Sequence, residues 1–168
     1  MKQIFLIGRK RTGIESIAKA LKVLRYSAKS ILSKTNSENI QELISEMEGC
    51  EVCAVNWDYT LEDIRAIEKA NTDAVFILTE REPDKWYSSW LRFYKGKEGC
   101  ESQLAYKNKG HYVSKYYEGY NHDIKCHFKG REWKFLNFYY GVNASWQTLC
   151  SYLKKPVPSQ NFPHENRS

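Results

Sequence analysis

No apolar run in this 168-residue chain approaches the length of a bilayer span, and its first residues carry no hydrophobic core of a secretory signal. A cytoplasmic location is the expectation. Proline is scarce, and three of the four prolines fall in the last 13 residues, which leaves the rest free to alternate strands and helices. Cysteine occurs five times, an odd number without the paired spacing of a disulfide framework. Cys50-Glu51-Val52-Cys53 is a lone C-x-x-C with no second pair and no H-x₃₋₅-H after it. Free thiols beside a buried strand are the simplest reading, and a redox pair or half a zinc site stays open. No low-complexity tract or internal repeat is present, so residues 1–155 read as one domain and 156–168 as an irregular tail.

Negative charge is in deficit, but only locally. The formal net charge is +6, and residues 85–134 hold 11 Lys/Arg against 5 Asp/Glu, while the remainder balances. The same segment has 12 of the 24 aromatic residues, so an anionic partner suits that half of the molecule.

What is present is first of all Ile4-Phe5-Leu6-Ile7-Gly8-Arg9-Lys10-Arg11-Thr12-Gly13, followed by Ile14, Ile17, Leu21 and Leu24 at helical spacing. A buried strand, a basic loop between two glycines and an amphipathic helix form a phosphate-binding layout, because loop amides and the helix dipole converge on one anion. The glycine spacing is that of the nucleoside-triphosphate loop, yet Ile14 and Glu15 stand where Lys and Ser/Thr would hold the γ-phosphate and Mg²⁺. That excludes an ordinary ATPase or GTPase.

Further strands are expected over Glu51–Val55, Ala74–Thr79 and Trp133–Tyr140. Helices are expected after the Thr35/Glu38 and Thr60/Asp63 caps and from Pro83 through Trp86, Trp90 and Phe93. Val113, Tyr117, Tyr120, Ile124 and Phe128 mark one face of a long helix, and Ser145–Leu153 forms the last. Apolar strands alternating with helices imply an α/β, P-loop-like three-layer sandwich: a parallel sheet of about four to five strands flanked by helices. Ligands bind such sheets at the carboxyl ends of the strands, where Gly8–Gly13 lies. Arg81 leaves the strand Val75–Thr79 at that same edge, and Ser89 follows about two helical turns on. A guanidinium fork and a hydroxyl there suit a phosphate.

Three segments together resemble the compact branch of the P-loop sulfotransferases. They are Gly8–Ile17; Ile77-Leu78-Thr79-Glu80-Arg81-Glu82-Pro83 with Trp86-Tyr87-Ser88-Ser89; and Trp146–Leu153 with Pro156-Val157-Pro158 and Phe162-Pro163-His164-Glu165-Asn166. The resemblance implies a donor, 3′-phosphoadenosine 5′-phosphosulfate, and no metal. The 5′-phosphosulfate maps to Arg11, Thr12, Gly13 and Ser16, and the 3′-phosphate to Arg81 and Ser89. It implies in-line sulfuryl transfer to a hydroxyl or amine of a small-molecule or glycan acceptor, with Arg11, and Lys10 or Arg9 beside it, neutralising the transferring group.

Two departures bear on activity. Ile14-Glu15 replaces the family's paired threonines, and a carboxylate about 4 Å from a bound anion costs roughly 4 kcal/mol at an effective dielectric near 20. The Asp of the family's acceptor-side motif aligns with Asn56, which leaves Asp58 as the nearest candidate base; it reads equally well as a turn residue before the Thr60 cap. His111, His122 and His127 read as surface or packing residues. A degenerate binding module that keeps the fold is therefore the second reading. A nucleic-acid binder is the third, and the helical spacing of Trp86, Trp90, Tyr117 and Tyr120 argues against it by pointing to core packing.

Overall fold

Alternate residues of the two central strands face opposite cores. In a computed structural model, which describes residues 3–31, 49–55, 59–94 and 108–163, β1 is Ile4–Ile7 and β4 is Val75–Arg81, both buried almost throughout. Phe5, Ile7, Phe76 and Leu78 pack with helix α2 (Leu61–Ala70) and helix α5 (Tyr120–Phe128) on one face. Ile4, Leu6, Val75 and Ile77 pack with helix α1 (Ile14–Val23) and helix α6 (Trp146–Leu153) on the other. The period-two side-chain alternation of a strand makes this division.

Strands β2 (Ala28–Ile31), β3 (Val52–Val55) and β5 (Phe135–Tyr140) complete a five-stranded sheet in the order β2-β3-β1-β4-β5, parallel at every pairing. The expected three-layer α/β architecture is borne out, with one strand more than the four read from apolar runs. Strand β2 escaped because Ala28-Lys29-Ser30-Ile31 is a short edge strand without an apolar run.

The Thr60 cap is present as a reciprocal box: Asp63 N–H donates to Thr60 Oγ1 (3.1 Å), and Thr60 N–H donates to Asp63 Oδ2 (2.8 Å). Helix α3 (Pro83–Tyr94) starts at the proline, as expected. The expected long helix is present as one uninterrupted run from Lys109 to Phe128, but it is not α-helical throughout: a short α4 (Lys109–His111) passes into a π-helical segment, Tyr112–Gly119, and then into α5. Tyr112, Tyr116 and Tyr117 of the π-helical segment pack on Trp86 and Trp90 of α3 as a separate cluster. The helix expected after Thr35 lies outside the described residues.

Residues 154–163 have no regular structure but are tied down. Trp146 Nε1 donates to the Gln160 carbonyl (2.8 Å), and the Phe162 ring packs against Trp146 and Phe138. The C-terminal motif thus closes one face of the core. Strand β5 lies at the sheet edge, where the Asn143 amide donates to the Asn137 carbonyl (2.9 Å) and accepts from Tyr139 N–H (2.7 Å). Cys50, Cys126 and Cys150 are free thiols. Among the described residues no helix is long and apolar enough to cross a membrane.

Candidate functional site

The loop after β1 is shaped by two glycines and a pair of threonines. Gly8 has φ 141°, and a Cβ there would lie 2.5 Å from Thr79 Oγ1 and 2.8 Å from the Thr79 carbonyl oxygen. Beneath the loop Thr12 Oγ1 donates to the Arg9 carbonyl (2.6 Å), so its 2.6 Å contact with Thr79 Oγ1 is one in which Thr79 donates. Thr12 is buried, with its hydroxyl committed within the loop. Arg11 adopts φ 72°, in the left-handed region that few non-glycine residues occupy, and such positions concentrate at functional sites.

At the start of α1, Gly13 has φ 100°, and its carbonyl accepts from Ser16 N–H (3.0 Å) and Ile17 N–H (3.2 Å). The Tyr140 ring, at the carboxyl end of β5, lies where a Gly13 side chain would be; Tyr140 Oη donates to the Gly13 carbonyl (3.1 Å). Burial pushes the Tyr140 phenol up to about 12, against the lowering pull of the Ser16 hydroxyl and the Arg81 charge. Neither contact was read from the sequence. The only signal for Tyr140 is its place at the end of a strand on the ligand-binding edge.

Arg81 is the last residue of β4 and Ser89 is buried on α3. Arg11 Nε donates to Ser89 Oγ (3.4 Å), and Arg81 Nη1 donates to the Arg11 carbonyl (3.3 Å). The loop and the β4–α3 corner therefore meet. Lys10, Arg11, Gly13, Ser16, Arg81 and Ser89 line one cavity of about 170 Å³, together with Ile14, Glu15, Phe93 and Tyr94. A second depression of about 310 Å³ adjoins it across Arg81 and Ser89 and adds Asp84, Lys85, Ser88 and Arg92. Lys109 pairs with Asp84 at 2.5 Å.

Arg9 and Thr12 are placed elsewhere. The Arg9 guanidinium lies between the rings of Tyr116 and Tyr120, 4.0 and 4.1 Å from their centroids, and Nε donates to the Tyr116 carbonyl (2.9 Å). Glu15 is exposed in the first turn of α1, where the dipole favours a carboxylate, and it lines the same cavity as Arg11 and Arg81. Asp58 lies outside the described residues, as do Asn56 and Trp57.

A parallel sheet with a glycine-bounded basic loop after its first strand, and an arginine from the neighbouring strand facing that loop, defines an α/β protein with an anion cavity at its carboxyl edge. The chain belongs to the sulfotransferase family: the family model described as a sulfotransferase domain matches residues 3–102 and 93–168. Its fold is similar to the crystal structure of a sulfotransferase from Alicyclobacillus acidocaldarius, with a TM-score of 0.62 over 100% of this chain and 86% of that one. The two sequences are 12% identical, so that likeness is one of fold. A comparison with curated proteins returns no match.

Proposed function

We propose that this sulfotransferase-family chain binds 3′-phosphoadenosine 5′-phosphosulfate in the cavity between the loop and the β4–α3 corner. It would transfer the sulfuryl group to a hydroxyl or amine acceptor, small molecule or glycan. The observation that carries the reading is the meeting of Arg11, Arg81 and Ser89 at the N-terminus of α1, with Lys10 lining the same space. Two anionic ends of one ligand need two cationic spaces side by side, and the loop cavity and the depression adjoining it across Arg81 and Ser89 are built from two motifs far apart in sequence. In the transfer, the acceptor atom attacks sulfur as the sulfur–oxygen bond to the 5′-phosphate breaks. That phosphate leaves with the electron pair, and the acceptor proton passes to a base. Arg11 and Lys10 neutralise the negative charge growing on the leaving phosphate, while the helix N-terminus holds it in line. Phe93 and Tyr94 give the cavity an aromatic wall suited to a purine.

Adenosine 3′,5′-bisphosphate, the product left by this transfer, is expected to raise the melting temperature, and Arg81→Ala to abolish the rise. No shift of the wild-type protein at millimolar ligand sinks the donor reading. Glu15, which lines the same cavity, favours the second reading: a chain that keeps the fold and binds a partner or ligand without transferring sulfate.

A further inference from the structure

Arg81 stands where β4 has outrun its neighbour. The pairing of β1 with β4 ends at Ile7 and Leu78, yet β4 continues three residues further. Val75 N–H donates toward the β1 side, to Gln3, and Phe76 N–H toward the β5 side, to Lys134. By the alternation of a parallel ladder, the N–H and C=O of Arg81 both point to the β1 side, where β1 has already turned away into the loop. Both groups are nevertheless satisfied, by one side chain. The Tyr117 hydroxyl accepts from Arg81 N–H (2.8 Å) and donates to the Arg81 carbonyl (2.7 Å), taking the place of the absent strand.

Tyr117 is itself held. It is buried, and its ring stacks on Trp86 at 4.2 Å and 7°. Trp86 Nε1 in turn donates to the Lys10 carbonyl of the loop (2.9 Å). The residue before it, Tyr116, receives Arg9 from the other end of the same loop. Adjacent residues of the π-helical segment thus fasten both cationic motifs, and π-helical turns are frequent at functional sites.

Resting on the donor reading above, we infer that Tyr117 is a positioning residue for the 3′-phosphate end of the ligand, acting through the Arg81 backbone to aim its guanidinium. Tyr117→Phe removes the hydroxyl and keeps the stacked ring. Calorimetric titration with two ligands tests the assignment: adenosine 3′,5′-bisphosphate, which reaches Arg81, and adenosine 5′-monophosphate, which lacks the 3′-phosphate. The variant is expected to lose about tenfold in affinity for the bisphosphate and nothing for the monophosphate. In an Arg81→Ala background the same substitution changes neither affinity. Unchanged bisphosphate binding, or equal losses for both ligands, overturns the clamp and leaves the donor reading standing. Failure of the wild-type protein to bind the bisphosphate sinks both. If Tyr117→Phe does not fold, Tyr117→His, whose donor and acceptor sit on separate ring atoms and so do not reproduce the two bonds one hydroxyl makes to Arg81, decides by the same comparison, with a smaller but equally selective loss expected.

Discussion

Glu15 is the residue on which the proposed donor binding turns. It sits where a threonine would add a hydroxyl to the anion cavity, and a carboxylate beside Arg11 and Arg81 removes part of the positive potential those residues supply. Glu15→Thr exchanges a negative charge for a hydroxyl at an exposed position, so the fold should tolerate it with a stability change within about 0.5 kcal/mol. The expected outcome is tighter binding of adenosine 3′,5′-bisphosphate by tenfold or more, measured by titration. An unchanged affinity would show that Glu15 faces away from the bound anion and that the loop works as it stands. Arg9 teaches the complementary point. In sequence it is one of three consecutive basic residues, and nothing distinguishes it from Lys10 or Arg11; two tyrosines more than 100 residues later take it out of the cavity.

Elements contribute to the site through their ends. The carboxyl ends of β1, β4 and β5 deliver Gly8, Arg81 and Tyr140, and α1 and α3 deliver Ser16 and Ser89. Most of this was legible, because local signals and tertiary packing agree there. The Thr60–Asp63 box and the proline at the start of α3 each state a boundary in a few residues, and the charge-free run Val75–Thr79 marks the body of β4, which continues through Glu80 to Arg81. The clamp of Tyr117 on Arg81 was not legible, since it depends on where β1 stops relative to β4, a fact of register. The π-helical segment was hidden for a similar reason: aromatic residues at helical spacing fit an unbroken α-helix until their packing on Trp86 and Trp90 is known. The end of β5 also has a consequence in pH. Tyr140 is neutral when it holds Gly13, and its raised pKa means that the folded state keeps the proton more tightly than the unfolded chain. Its stabilising contribution is complete below about pH 10 and is lost as pH rises from there through about 12, by up to roughly 2–3 kcal/mol. Denaturant titrations from pH 9 to 11.5 should show this decline, to which the other tyrosines with raised pKa values, Tyr117 and Tyr152 among them, add, and Tyr140→Phe should make it shallower.

On the scale of the whole molecule, part of the positive charge gathers at the carboxyl edge of the sheet and part is tied up elsewhere. The carboxyl edge gathers Lys10, Arg11, Arg81, Lys85 and Arg92, the last two in the adjoining depression. Away from that cavity, Glu68 of α2 draws in His127 (2.6 Å), Arg131 (2.7 Å) and Lys134 (3.7 Å), joining α2 to the end of α5 and the approach to β5. Part of the positive excess of residues 85–134, Arg131 and Lys134, is thus spent on internal ties and is not available to a polyanion. The aromatic excess has the same fate in Trp86, Trp90, Tyr112 and Tyr117, which pack on one another.

The sheet's outer margin bears on how copies of the chain meet. An edge strand offers unpaired N–H and C=O groups that a second molecule can extend. The Asn143 amide, by engaging Asn137 and Tyr139 together, imitates one residue of a sixth strand and occupies that rung. Asn143→Ala would expose it and leave the neighbouring aromatic residues of β5 as a template. The variant is expected to self-associate with rising concentration while the parent does not, read by light scattering at a series of concentrations. One side chain, outside the anion cavity, would then decide whether the protein stays dispersed.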